Sequence, residues 1–188
     1  MTVILNFIAF QFGWFASVLG AANGMPLLGP AVVAAVVGLH LYLVRRPAAE
    51  LRLLAAAALM GLFGDSLLLA SGWIAYPNGE WLSGLAPYWI ITMWLLFATT
   101  LNVSMRWMRG RYVIAAVFGA VGGPLSYLAG ARLGAMNFVE TAPALTALAL
   151  GWGVAMPLLT WLAERFDGLR EDDRSGITGE AVRVKSNG

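Results

Sequence analysis

The sequence contains no cysteine and a single histidine, His40. The lack of cysteine excludes a disulfide framework, a thiol nucleophile, a thiolate zinc site and an ordinary iron–sulfur cluster. One histidine is too few for a His-rich metal site or a bis-histidine haem, so neither a metal nor a cofactor is predicted. Charged residues make up only 12% of the chain, about half of what a soluble domain carries.

Apolar residues dominate what is present. They make up 60% of the chain, and the mean hydropathy is +0.74, which is typical of a polytopic membrane protein. The net charge of +2 does not indicate nucleic-acid binding, because the basic residues cluster at the ends of apolar runs. The N-terminus lacks a basic segment and its apolar run is full length, so no cleavable signal peptide is predicted.

Six apolar runs predict an all-α bundle of six transmembrane helices, because a bilayer is crossed by about 20 apolar residues. The predicted spans cover about residues 3–22, 27–44, 53–73, 87–105, 112–133 and 144–162. They make residues 1–165 one transmembrane domain. Residues 166–188 are polar and lack apolar periodicity, so they predict a disordered cytoplasmic tail.

The arginines predict the orientation of the bundle. They are concentrated at the connections after the second and fourth spans, whereas the opposite connections carry Arg132 beside the acids Glu80 and Glu140. Because cytoplasmic loops carry an excess of Lys and Arg, both termini are predicted to be cytoplasmic. The arginines of this predicted cytoplasmic basic face are Arg45, Arg46, Arg52, Arg106, Arg109 and Arg111.

Polar side chains inside the spans are the candidate functional residues. A charge there costs about 2.5–3.5 kcal/mol on insertion scales, so each one needs an explanation. Counting 1.5 Å per residue from the cytoplasmic ends predicts two clusters at different depths. The outer cluster comprises Asp65, Ser66, Ser126, Tyr127, Arg132 and, at the rim, Asn23. The inner cluster comprises His40, Asn102, Ser104 and Asn6.

Each of these residues has a structural as well as a functional interpretation. Asp65 can lock the bundle by pairing with a hydroxyl group or with Arg132, can be a functional carboxylate, or can be a neutral acid facing a cavity. His40 near the membrane edge is more often a satisfied side chain than a general base. Asn102 and Ser104 are of the types that hydrogen-bond neighbouring helices together.

The fifth span is rich in glycine and reads GAVGGPLSYLAGARLG from Gly119 to Gly134. The spacings Gly119-x-x-x-Gly123 and Gly130-x-x-x-Gly134 predict close packing against other helices. Pro124 predicts a kink that frees a backbone carbonyl within the span.

Four segments carry a family resemblance: FQFGWFASVLGAANG, GDSLL, PYWIITMWLLFATTLNVSMRWM and GAVGGPLSYLAGARLGA. Together they resemble a bacterial inner-membrane family catalogued as a domain of unknown function, over about residues 3–165. The resemblance implies a multi-pass protein associated with lipid-modification enzymes of the cyclopropane-synthase type, and it implies no catalytic residues. The positions that match the pattern are Asn23, Asp65, Ser66, Asn102, Ser104, Trp107, Pro124, Ser126, Tyr127 and Arg132.

Three functions from different classes remain open at this stage. The first is a non-enzymatic component that binds or presents lipid or docks a lipid-modifying enzyme, with membrane lipids, that enzyme or a second copy as partners. The second is a small transporter or proton-coupled carrier that uses Asp65 as the titrating group. The third is a membrane enzyme acting on acyl chains or headgroups, with His40 and Asn102 on the inner side.

Overall fold

The computed structural model describes residues 2–169. Apart from one 3₁₀ turn and two short strands, the regular structure of that range is α-helical, which confirms the all-α fold class. The α-helices are α1 (Val3–Ala22), α2 (Leu28–Leu43), α3 (Pro47–Ala70), α4 (Tyr88–Leu101), α5 (Tyr112–Arg132) and α6 (Thr141–Arg165). The strands are β1 (Ile74–Ala75) and β2 (Asn137–Phe138), and the 3₁₀ turn spans Arg106–Met108.

Four of these helices, α1, α3, α5 and α6, are long and apolar enough to cross a membrane. The other two are shorter: α2 has 16 residues and α4 has 14, which correspond to about 24 Å and about 21 Å of helix. The hydrocarbon core of a bilayer is about 30 Å thick. A membrane protein with four membrane-compatible helices is therefore what the structure supports, and the six spans stay a prediction.

The core is largely apolar, as in a soluble protein, but much of the surface is apolar as well and several polar side chains are buried. Large apolar side chains face outward, with Phe12 67%, Phe63 69% and Val113 78% exposed. Amide and carboxylate side chains lie inside, where Asn6 and Glu50 are 0% exposed. Exposed apolar surface around buried polar groups is the arrangement that a hydrocarbon solvent favours.

Helix α4 lies at the centre and contacts α1, α2, α3 and α6, while α5 and α6 form a hairpin. This hairpin packs closely at Gly119, where an added Cβ would lie 2.2 Å from the backbone oxygen of Trp152. Trp152 in turn stacks on Trp94 of α4, with the ring centroids 4.5 Å apart. The first predicted glycine spacing is thus a packing contact, since Gly123 also faces Trp152.

The second glycine spacing makes no contact as close as those of Gly119 and Gly123, although Gly130 is buried. No atom outside its own helix turn lies within 4 Å of a Cβ built on Gly130. Gly134 follows the last residue of α5 and has a φ of +88°. That left-handed conformation is the one that commonly ends a helix with glycine, so Gly134 terminates α5, and a Cβ built on it would lie 3.6 Å from the Ala22 Cβ of α1.

The two ends of the bundle differ. At one end, called here the ladder end, β1 pairs antiparallel with β2 and joins the α3–α4 connection to the α5–α6 connection. At the opposite end, called the network end, Asn6 near the start of α1 meets the residues that end and follow α4. Its Nδ2 donates to the Thr99 carbonyl oxygen at 3.1 Å, and its Oδ1 accepts from Ser104 Oγ at 2.7 Å.

Candidate functional site

The buried carboxylate of Asp65 accepts hydrogen bonds from side chains in three other parts of the chain. It lies near the ladder end of α3 and is 2% exposed. Its Oδ2 accepts from the Trp94 indole nitrogen at 2.8 Å, and its Oδ1 accepts from the Tyr76 hydroxyl at 3.4 Å. The Tyr127 hydroxyl of α5 also donates to Oδ1. These four residues are called the Asp65 cluster, and they tie α3, α4, α5 and the segment after β1 together.

All three partners of Asp65 are neutral donors. The sequence left open whether Asp65 pairs with a hydroxyl group or with Arg132. In the structure it accepts hydrogen bonds from two hydroxyl groups and an indole. Arg132 is exposed and has no contact with Asp65 in the described range. A helix end faces solvent or headgroups, so an arginine there gains more from snorkelling outward than from reaching a buried acid.

A groove beside the Asp65 cluster runs between α3 and α6 and has a volume of about 510 Å³. This α3–α6 groove begins near Ser71 and Trp73 at the ladder end and extends inward to Met60 and Leu158. Asp65 and Tyr127 lie in its wall, which is otherwise almost wholly apolar. Its volume falls within the range of about 300–1,000 Å³ that is usual for ligand sites.

Two glycines leave the α3–α6 groove open. A Cβ built on Gly64 of α3 or on Gly151 of α6 would meet no atom within 4 Å. Gly61, one turn before Gly64, is different, because its Cβ would lie 2.1 Å from the Trp94 ring. Gly61 therefore lets the Trp94 ring pack directly on α3, and Gly64 leaves empty space one turn further along the helix.

A second polar group occupies the network end and is centred on Glu50, which is 0% exposed. Glu50 Oε2 lies 3.1 Å from His40 Nε2, and Oε1 accepts from Asn102 Nδ2 at 2.8 Å. Oε1 also accepts from the backbone N–H of Gly168 at 2.9 Å. His40 and Asn102 of the predicted inner cluster therefore meet each other only through an acid that the sequence analysis assigned no role.

The segment from Phe166 to Leu169, called the C-terminal strap, is held by this network. Asp167 accepts from Arg109 Nη1 at 2.7 Å and from Arg106 Nη2 at 3.3 Å. The Gly168 carbonyl oxygen accepts from the Arg46 N–H at 2.9 Å. Residues 166–169 belong to the predicted tail but contact the bundle, and residues 170–188 of that prediction lie outside the described range.

At the network end, Glu50 and Asp167 are the residues that sequence reasoning missed. The third span was predicted to begin at Leu53, with Glu50 in a charged connection, whereas α3 begins at Pro47. Proline is favoured at the first position of a helix and an acid in its first turn, so Pro47 followed by Glu50 was a readable helix start. Asp167 carried no such signal, because a single acid in a polar segment looks like any other tail residue.

The other residues of the predicted outer cluster are dispersed. Ser66 Oγ accepts from the Ala86 N–H at 2.9 Å, and Ser126 Oγ accepts from the Trp14 indole at 3.3 Å. Asn23 is exposed, where its Nδ2 donates to the Leu19 carbonyl oxygen at 2.8 Å and so ends α1. Only Asp65 and Tyr127 of the predicted outer set contact each other. Ser66, Ser126 and Asn23 bond elsewhere because their side chains leave different helix faces.

The predicted basic face divides into two groups. Arg106 and Arg109 bond Asp167 of the C-terminal strap. The other four arginines of the face, Arg45, Arg46, Arg52 and Arg111, are exposed at this end. Arg45 and Arg46 also make interactions of their own.

The strap should weaken in acid. Burial works against ionisation of Asp167, but hydrogen bonds from Arg109 and Leu169 and the charges of Arg109 and Arg106 outweigh it, so its pKa is lowered from 3.8. A lowered folded-state pKa stabilises the protein above the unfolded value and loses that contribution as the pH falls below it. We expect Asp167→Asn to cost about 1 kcal/mol at neutral pH, since Arg106 is half exposed and screened, and to cost progressively less below pH ~4.

Thermal unfolding in detergent between pH 3 and pH 8 tests this expectation. The exposed acid Glu80 provides the control, because Glu80→Gln should leave the curve unchanged at every pH. A difference between Asp167→Asn and the wild type that stays constant down to pH 3 would show that the charge of Asp167 does not hold the strap.

An all-helical chain with four membrane-compatible helices, exposed apolar surface and two buried polar clusters has the properties of a membrane protein. The family described as "Protein of unknown function (DUF2878)" matches residues 3–158, and the chain belongs to that family. The resemblance to an uncharacterised family is thereby confirmed. No curated protein and no solved structure matches the chain.

Proposed function

We propose that this protein is a non-enzymatic membrane component that binds an acyl chain of a membrane lipid in the α3–α6 groove. The observation that carries the proposal is the groove itself, which is about 510 Å³ in volume, apolar and open on the lipid-facing side of α3 and α6. Hydrocarbon tails are the apolar ligands that such a surface meets in a bilayer. Their burial in a shaped groove gains dispersion contacts, although lipid tails are themselves apolar.

The two ends of the groove suit the two parts of a lipid. Along α6 the lining extends from Ala147 to Leu158, a distance of about 16 Å. Ser71 and Trp73 lie at the ladder end, and tryptophan is favoured at membrane interfaces. We therefore place the polar part of the lipid at the ladder end and its chain along Met60 toward the network end, with the Asp65 cluster as the rigid wall between.

The arginines at the network end support the rest of the assignment. We propose six spans with both termini on the cytoplasmic side of a bacterial inner membrane, so that the groove opens toward the outer leaflet. Exposed Arg52 and Arg111 would then face anionic headgroups, each worth about 1 kcal/mol near the surface. They would also be available to a lipid-modifying partner enzyme, as the family resemblance implies.

The geometry favours this function over the two alternatives. A proton carrier needs a carboxylate that water can reach, yet Asp65 is 2% exposed and holds three hydrogen-bond donors beside an apolar groove. An enzyme that uses His40 and Asn102 needs both to be free for a substrate. Both are buried and bonded to Glu50, so they are already occupied.

Native mass spectrometry of the protein purified in mild detergent tests the proposal. We expect a retained lipid on the wild type and about tenfold lower occupancy in Gly64→Leu and Gly151→Leu, because each leucine fills the groove and displaces several methylene contacts. Gly38→Leu is the matched control, since Gly38 is exposed on α2, outside the groove, and its Cβ would also meet no atom within 4 Å.

The contribution of the Asp65 carboxylate to lipid binding is tested separately with Asp65→Asn, which keeps the shape of the groove wall. A lipid retained by Asp65→Asn but lost from Gly64→Leu assigns the affinity to the apolar groove. A wild type that carries no lipid, or glycine variants that retain as much lipid as Gly38→Leu, would contradict the proposal.

A further inference from the structure

A second groove lies on the other edge of the α5–α6 hairpin, between α1 and α5. This α1–α5 groove has a volume of about 380 Å³. Trp14 of α1, Phe118 of α5 and Trp152 of α6 provide much of its wall, and Trp152 also lines the α3–α6 groove. The Trp152 side chain therefore stands between two separate grooves that open on different faces of the protein.

Gln11 lines the α1–α5 groove and is half-buried. It lies eight residues after the first residue of α1, Val3, which places it about 12 Å along the helix and well inside the span. An amide side chain carries two N–H donors and one carbonyl acceptor. Within residues 2–169, neither polar atom of this amide has a hydrogen-bond partner.

Ser126, across the groove on α5, has spare capacity as well. Its oxygen accepts from the Trp14 indole at 3.3 Å, so its own O–H remains available as a donor. The described part of the chain supplies no acceptor for that hydrogen. The groove therefore contains hydrogen-bond donors and one acceptor that have no partner among the described residues, and they lie on two helices that face each other.

Hydrocarbon cannot satisfy these groups as water would on a soluble protein. An unpaired amide or hydroxyl in an apolar medium costs several kcal/mol. A groove that keeps such groups open is therefore best explained by a molecule that bonds to them. No ionisable side chain lines this groove, so a charged group entering it would lack a counter-charge and would be strongly disfavoured.

We propose that the α1–α5 groove is a second binding site, for an apolar molecule that carries a neutral hydroxyl or carbonyl group. That group bonds Gln11 and the Ser126 hydroxyl, and the hydrocarbon part packs on Trp14 and Phe118. The site differs in chemistry from the α3–α6 groove, where the buried carboxylate of Asp65 already accepts from three donors. It goes beyond the proposed function and does not depend on it.

Photo-crosslinking in lipid nanodiscs tests this site with a long-chain alcohol that carries a diazirine along its chain. Peptide mass spectrometry should find the label on α1 and α5. Gly122→Leu should lower this labelling about tenfold, because the nearest atom to a Cβ at Gly122 is 3.9 Å away and the new side chain fills the groove without moving a helix. Gln11→Leu should lower it about fivefold, the loss of one neutral hydrogen bond.

Two controls make the result specific. Gly38→Leu should leave all labelling unchanged, and a diazirine alkane without the hydroxyl should label the groove equally in the wild type and Gln11→Leu. Labelling of α1 and α5 that survives in both Gly122→Leu and Gln11→Leu would overturn the proposal. A wild-type dimer that Gln11→Leu converts to monomer in analytical ultracentrifugation would also overturn it, because Gln11 would then bond a second copy. Labelling of α3, which lines only the α3–α6 groove of the two, reports on the other site, so the two proposals fail separately.

Discussion

Glu50→Ala is expected to lower the free energy of unfolding by about 3–5 kcal/mol, because removing the shared acceptor of a buried polar network leaves its donors unpaired. The substitution leaves His40, the Asn102 amide and the Gly168 N–H without their common acceptor. It also removes one of the contacts that connect the start of α3 with the C-terminal strap, the other being the bond from the Arg46 N–H to the Gly168 carbonyl oxygen. Stability measured by SDS titration or by thermal unfolding in detergent reports the loss.

Glu50→Gln separates hydrogen bonding from charge. Its carbonyl oxygen can still accept from Asn102 and Gly168, so we expect a loss of about 1–2 kcal/mol, the range for weakening a charged hydrogen bond. Glu80→Ala is the matched control, since Glu80 is an exposed acid in the α3–α4 connection, and it should change stability by less than about 0.5 kcal/mol. If Glu50→Ala were as stable as Glu80→Ala, the network would be an accessory to the fold rather than one of its main contacts.

The strap explains why this network holds more than one helix. An added Cβ on Gly168 would lie 2.4 Å from Glu50 Cγ, so the backbone of the strap rests directly on the carboxylate side chain. Because the same strap follows α6, Glu50 connects α6 to α3 at the network end. The α3–α6 groove opens toward the ladder end of the same two helices. One end of this helix pair is therefore clamped by polar contacts, and the other leaves room for a ligand.

Hydropathy predicted the positions of the helices well because a helix that faces hydrocarbon is apolar along most of its length. The first predicted span, residues 3–22, coincides with α1 (Val3–Ala22). The third did not, because four charged residues within the eight positions 45–52 resemble a loop, even though Pro47 starts a helix there. A window average cannot distinguish a buried glutamate from an exposed one.

The candidate sites were harder to predict because they depend on which helix faces meet. Asp65 was recognisable as a buried charge in a span, but its partners come from α4, α5 and a polar connection. Tyr76 lies in a segment that looks like an ordinary loop, and Trp94 resembles any packing tryptophan. Depth counting placed Ser66 and Ser126 near Asp65, yet depth carries no information about rotation around the helix axis. The two grooves depend on that rotation and on glycines, which have no side chain to fill the space. No sequence pattern reports which glycines face a groove.

Two glycines three residues apart on α5 should respond very differently to the same substitution. Gly119→Leu is expected to cost about 3 kcal/mol or more, at or above the usual overpacking penalty, because its Cβ would lie 2.2 Å from the Trp152 backbone oxygen. Backbone cannot move aside as a flexible side chain can, so α5 and α6 must separate. Gly122→Leu points into the α1–α5 groove and should cost less than about 0.5 kcal/mol.

Comparing the two variants in one assay removes the general effect of replacing glycine by leucine in a helix. Leucine has the higher helix propensity, by nearly 1 kcal/mol, so propensity alone predicts that both variants are stabilised. A large loss in Gly119→Leu with none in Gly122→Leu would therefore measure the α5–α6 contact itself. Equal losses would mean that the α1–α5 groove is closed in the membrane, which would also remove the space on which the second binding site depends. The same pair of variants thus tests the packing of the hairpin and the existence of the groove beside it.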